Sequence, residues 1–204
     1  MSHTLGIRQA QKQKTRQALM DSALQLLEHQ SLSSLGLREV TRAVGVAPAA
    51  FYRHFKDTAD LGVALVEQAL GSLHGTIRAA IVTTGASDER IDRAVALIAA
   101  HVRAYPAHVR FIARERHGGV APVRDAIGVQ LRSFADEVAE ALGADPQSKG
   151  WPPADLRMLG GLYVDHMVMT ASTLLEDGEG ADAVLTTARA QLRLVALGRR
   201  HWLD

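Results

Sequence analysis

The chain predicts an all-α fold of about nine helices, and three observations carry that prediction. Apolar residues recur at three- and four-residue spacing, as at Leu37, Val40 and Val44 or at Ile91, Val95, Ile98 and Val102. Such spacing puts them on single helical faces. No stretch alternates apolar and polar residues as a half-buried strand would. The breaks between periodic segments carry helix-stop and helix-start residues, glycine or proline with serine or aspartate beside it. The 204 residues are 47% hydrophobic, enough for one ordinary domain or two small ones. Aromatic residues are only 4%, so alanine, leucine and valine must supply most of the helix packing.

Taken in order, residues 1–11 read as a flexible arm whose notable charge is Arg8. The first helix runs from about Lys12 to Gln30, with Ala18, Ala23, Leu26 and Leu27 as its apolar stripe. A hydroxyl-rich loop, 31–35, leads to Gly36, which takes the N-cap of the next helix three residues before Glu39. Serine or threonine there would complete a capping box, and glycine costs only about a few tenths of a kcal/mol by comparison. Asp57 caps a later helix with Asp60 at its third position, and that helix runs to about Thr83. After a break at Thr84 to Ser87 a helix reaches Tyr105, where Pro106 stops it. A short helix follows to Arg116, and Gly118-Gly119 ends it. Helices over 122–142, 154–176 and 181–202 complete the chain.

Leu37 to Phe55, LREVTRAVGVAPAAFYRHF, has the grammar of a helix-turn-helix. Gly45 suits the positive φ of a sharp helix end. Pro48 suits a first helical position, where its missing N–H has no partner to lose. Phe51 and Phe55 share one face and can pack on Val40 and Val44, which leaves Ala49, Ala50, Tyr52, Arg53 and His54 outside. Two helices joined by such a turn form the motif whose second helix enters the DNA major groove. Charge agrees: residues 1–56 hold eight basic and three acidic residues, a net +5, and the remainder nets −4. A basic head on an acidic body is the electrostatic footprint of a DNA-binding segment joined to something else.

A helix-turn-helix near the N-terminus that ends in FYRHFKD and is followed by Leu61 resembles the TetR family of bacterial transcriptional repressors. The resemblance implies a three-helix DNA-binding domain over 1–56 and a helical effector-binding and dimerisation domain over 57–204. Tyr52, His54 and Lys56 then look like phosphate contacts, and their donors suit that role. Lys14 and Arg38, at helix starts near the same surface, are further candidates. Alanine methyls at Ala49 and Ala50 can touch thymine methyl groups, a weak base readout. Arg53 can reach a guanine edge or a phosphate, and Arg8 an adjacent minor groove. Family members often carry polar residues where Ala49 and Ala50 stand, so DNA shape should supply much of the specificity.

Helix-turn-helix proteins usually bind near-palindromic DNA as symmetric dimers. The last two helices, paired with a copy of themselves, would make a four-helix bundle, so a homodimer is expected there. Val102, Phe111, Phe134, Val138, Tyr163 and Met167 are candidates to line an effector pocket, with Arg114 and Arg116 at its mouth. The segment RERHGG, followed by Arg124-Asp125-Ala126-Ile127, resembles the branch of the family that represses unsaturated fatty-acid genes, the FabR and DesT type. That resemblance implies long-chain acyl-coenzyme A as effector. A repressor of an efflux or catabolic gene that senses another hydrophobic molecule is the alternative.

Other classes fit poorly. There is no cysteine, hence no disulfide framework. No apolar run approaches a membrane span, and the basic N-terminus lacks the apolar core of a signal peptide, so the expected location is cytoplasmic and no membrane partner is expected. Nine histidines raise the possibility of an α-helical metal enzyme. No HExxH or paired Glu-x-x-His pattern supports one. His101 and His108 straddle Pro106, and His166 stands alone in an apolar helix. Catalytic residues, metal ligands and resident cofactors are therefore expected to be none.

Overall fold

A computed structural model describes residues 2–71, 73, 74, 87–176 and 180–203. Among them are nine α-helices, two short 3₁₀ helices and no strand, as an all-α fold requires. In chain order these are α1 Ser2–Leu26, the 3₁₀ helix Leu32–Ser34, α2 Leu37–Val44, α3 Pro48–Phe51 and α4 Thr58–Gly71. Then come α5 Ser87–Ala104, α6 Pro106–Glu115, α7 Ala121–Ala144, the 3₁₀ helix Pro146–Ser148, α8 Pro153–Glu176 and α9 Ala181–Arg200.

The N-terminus departs from the expected arm, because α1 already runs from Ser2. Gln9 to Lys14 are mostly good helix formers with no proline among them, so nothing stops the helix there. Arg8 is consequently an exposed helical residue. The helix also ends early, at Leu26, in hydrogen-bonded turns such as Glu28 N–H to Gln25 O, 3.1 Å. Helix α4 begins as expected: Asp60 N–H donates to Asp57 Oδ1 at 2.8 Å, and Lys56 N–H donates to Asp60 Oδ2 at 2.8 Å. The expected continuation over 75–83 and the break at 84–86 lie outside the described residues, as do 177–179 of the expected turn before α9.

The chain groups into two compact units, Met1–Ala69 with Arg110–Ile127, and Leu70–Val109 with Gly128–Asp204. The boundary does not follow a cut at residue 56. In the first unit Leu61, Leu65 and Val66 of α4 are as deeply buried as Leu19 and Ala23 of α1. A methyl group on Gly62 would stand 2.5 Å from a methyl of Leu32 and 2.7 Å from one of Val123. Glu115, at the end of α6, is buried, and its Oε1 accepts the Leu32 N–H at 2.9 Å. Arg114 donates to the carbonyls of Leu27 at 2.9 Å and Gln30 at 2.6 Å, oxygens that the end of α1 leaves without intrahelical partners. Arg124 donates to Gly118 O at 2.6 Å.

In the second unit α5, α8 and α9 meet about Ile91, Val95, Ala188 and Leu192. Helix α7 approaches α8 at Gly160, where an added Cβ would collide with the Ala135 carbonyl; at Gly161 nothing lies within 4 Å. Gly160 and Ala188 thus serve packing within the chain. Arg199, also buried, donates Nε–H to Ser148 Oγ at 3.1 Å and lies 3.5 Å from Asp145, which pairs with Arg90 at 3.0 Å. Burial alone would raise the Asp145 carboxyl. The Gln147 N–H, Arg199 and Arg90 together outweigh it and hold the group below its ordinary 3.8.

Gly160→Ala should destabilise the protein by about 1–3 kcal/mol, because the helices must part. Gly161→Ala should be neutral or stabilising by up to about 1 kcal/mol. Denaturation midpoints of the two variants, one residue apart, make the comparison. Because Asp145 is depressed in the folded state, its contribution is present above its unfolded value and is lost as pH falls through the folded value. Asp145→Asn should therefore lower stability at pH 7 by about 1–2 kcal/mol and flatten the acid limb below about pH 4, measured by thermal melts across pH.

Candidate nucleic-acid interface

The turn between α2 and α3 is built by local chemistry. Gly45 adopts φ 73° and ψ 29°, the left-handed conformation that a side chain resists. Its N–H returns to Arg42 O at 3.1 Å, and Val46 N–H returns to Thr41 O at 3.0 Å. Ala47 is extended and Pro48 takes the first helical position. Beyond Phe51 the helical turn persists through Arg53 N–H to Ala50 O and Phe55 N–H to Phe51 O. The second helix of the motif is therefore α3 plus one further turn.

Phe51 and Phe55 are fully buried, with ring centroids 5.5 Å apart, and Val40 lies in the same core. Arg16 of α1 places its guanidinium 4.4 Å from the Phe55 ring centroid, a cation–π distance. Burial of the two phenylalanines turns the residues between and after them outward. Tyr52 is 64% exposed, with its ring edge-on to Phe51 at 5.8 Å. Ala49, Arg53 and Lys56 are exposed, and Ala50 and His54 are half-buried. Lys14 and Arg38 are exposed in the same unit, as is Arg8.

His54 differs from its neighbours. Its Nδ1 is buried and, among the described residues, has no hydrogen-bond partner. Burial first, then the charges of Lys12, Arg16 and Arg53, hold its imidazole below the ordinary 6.5. Lys12 and Arg16 are absent from the site set expected from sequence, although their four-residue spacing puts them on one face of α1.

The expected effector residues are distributed over both units. Phe111 is buried in the first. Arg114, expected at a pocket mouth, instead caps the end of α1, because a guanidinium satisfies several orphan carbonyls at once. Arg116, in the same unit, is half-buried. In the second unit Val102 and Phe134 are buried and Val138 is half-buried. Tyr163 and Met167 pack against the core about Val95 and Leu192. Burial raises the Tyr163 hydroxyl, with Arg199 and Arg90 opposing. The Phe134 ring lies 4.5 Å from His74, whose Nδ1 is 2.5 Å from Glu137 Oε1. His166, half-buried, reaches Ala188 O with Nε2 at 3.3 Å. Among the described residues no group of three metal-ligating side chains could hold an ion.

Residues 19–65 match the family described as bacterial regulatory proteins, tetR family. The whole fold is similar to solved regulators. The fatty acid degradation regulator FadR from Bacillus halodurans is 16% identical, with 87% of this chain and 93% of that chain covered and a TM-score of 0.70. FadR from Bacillus subtilis in complex with stearoyl-CoA is 15% identical, with 88% and 96% covered and a TM-score of 0.71. A TetR-family transcriptional regulator from Streptomyces coelicolor is 16% identical, with 93% and 83% covered and a TM-score of 0.69. At these identities the structural likeness speaks for the fold alone. The head thus matches the tetR-family segment over residues 19–65, within a chain whose fold is similar to those of solved regulators.

Proposed function

We propose that the protein is a dimeric repressor of unsaturated fatty-acid or lipid metabolism genes whose DNA affinity responds to long-chain acyl-coenzyme A. The observation that carries DNA binding is the outward face from Tyr52 to Lys56, a phenol, a guanidinium, an imidazole and an ammonium above two buried phenylalanines. These donors suit phosphate oxygens, which set register, whereas Arg53 can also reach a base edge. Ala49 and Ala50 offer methyl contacts, and Arg8, Lys14 and Arg38 extend the cationic surface.

Dimerisation is assigned to α8 and α9. Met158, Leu162 and Met169 on α8 and Leu194 and Leu197 on α9 are exposed, Leu194 by 71%. Large apolar side chains gathered on two antiparallel neighbours suit an isologous four-helix interface. No described helix is long and apolar enough to cross a membrane, and cytoplasmic DNA is the partner proposed.

Acyl-coenzyme A is favoured by the RERHGG resemblance and by the similar fold of FadR bound to stearoyl-CoA. The apolar residues Val102, Phe134, Val138, Tyr163 and Met167 supply candidate walls in the second unit. One observation favours the alternative of a phosphate-free hydrophobic effector and an efflux or catabolic target: Arg114 and Arg124 donate to backbone carbonyls. The helices α4, α6 and α7 each continue from one unit into the other. They are the covalent routes along which a ligand in the second unit would bias the head, with α4 setting the spacing of the two reading helices.

Native mass spectrometry of freshly purified protein tests the effector: a dimer carrying acyl-coenzyme A supports it, and a different hydrophobic adduct supports the alternative. By linkage, an effector that weakens DNA binding is itself weakened by DNA. Titration of stearoyl-CoA with and without bound duplex should therefore give two affinities, and equal ones would remove the allosteric claim. Arg53→Ala should cost about 1–3 kcal/mol and relax preference at one base position if Arg53 reads a base. Competition against single-base variants of the preferred duplex measures it, and uniform weakening on every sequence would make Arg53 a phosphate contact.

A further inference from the structure

We infer that Lys12, Arg16, Arg53 and His54 form one phosphate site, and that filling it draws a proton onto His54, so that DNA binding is coupled to proton uptake. The inference rests on the reading of this surface as the DNA-binding face. Lys12 and Arg16 lie one helical turn apart on α1, Arg53 precedes His54 in the chain, and the positive charges of all three act on the imidazole. Arg16 is held in place by its stacking on the buried Phe55 ring. Lys12 is exposed, with its ammonium available to an incoming anion.

In the free protein the imidazole has every reason to stay neutral. Its Nδ1 is buried without an acceptor among the described residues, so a proton there would gain no hydrogen bond. Burial and three neighbouring cations further disfavour a fourth charge. The other ring nitrogen then carries the hydrogen and can donate it to an oxygen. A phosphate that arrives among these groups reverses the balance. It offsets the cationic field and accepts from the ring, and both effects favour the charged form. The proton comes from solvent and no bond other than N–H forms. Because Nδ1–H remains without an acceptor in the bound state, uptake should be a fraction of one proton per subunit. Affinity therefore rises as pH falls from 8 to 6.

The test is calorimetry of the full-length protein with a duplex selected by the wild type from a random-sequence pool. Titrations at fixed salt, in buffers of different ionisation enthalpy, read the protons taken up directly. Wild type should take up protons, more at pH 6.5 than at pH 7.5, and its Kd should tighten several-fold between pH 8 and pH 6. His54→Gln, which keeps a donor that cannot titrate, should bind more weakly and lose the uptake. Lys12→Gln, at an exposed position, should reduce uptake near neutral pH because His54 then carries more charge before DNA arrives. Wild-type binding without proton uptake would overturn the inference and leave the DNA-binding reading intact, as would uptake that persists unchanged in His54→Gln. Failure of folded wild type to select any duplex would instead remove the reading beneath it.

Discussion

Phe51 and Phe55 lie on the inner side of one helical turn, and the outward placement of Tyr52, Arg53, His54 and Lys56 follows from their burial. Each phenylalanine contributes about 1.5–3 kcal/mol on leaving water, and the charged groups of Arg53 and Lys56 would be costly to bury, so both preferences favour the same arrangement. The turn before them needs a left-handed residue at Gly45 and tolerates proline at Pro48. With the two rings fixed in the core beside Val40, the cationic face has one orientation open to it. Arg16, stacked on Phe55, ties α1 to the same arrangement.

The head is completed by residues far along the chain. Glu115 accepts the Leu32 N–H and Arg114 donates to the end of α1, while Val123 and Leu32 leave no room for a methyl at Gly62. The segment Arg110–Ile127 is thus an integral part of the first unit, although α6 and α7 also belong to the unit proposed to hold effector. A buried carboxylate is costly to leave unpaired. Here Glu115 Oε1 has the backbone donor, and Gly118 leaves the space that Oε2 occupies.

The helix-turn-helix is legible from sequence because its determinants are local. Glycine at a helix end, proline at a helix start and phenylalanines four apart act within one or two turns. The helices about Ile91 and Val95 are legible for the same reason, since periodicity is a short-range signal. The roles of Arg114 and Glu115 are not, because their partners lie more than 80 residues away and leave no periodic trace. The clustered arginines suggest a pocket mouth at Arg114 and Arg116, and only the fold reveals that Arg114 and Glu115 bind backbone. Residues 1–11 read as a flexible arm, yet with good helix formers over 9–14 and no proline α1 runs from Ser2. Lys12 and Arg16 are legible in principle from their spacing, but their bearing on His54 appears only in the fold, where their charges act on its imidazole.

Selection of duplexes from a random-sequence pool by the purified protein tests the central claim most directly. A dimer that presents two copies of the Tyr52–Lys56 face should enrich a near-palindrome. Its half-sites should be centred about one helical turn apart, roughly 34–36 Å, or a multiple of that. Enrichment of such sites, abolished by added salt as phosphate contacts require, is the predicted result. Folded protein that retains no duplex above background at low salt would contradict it.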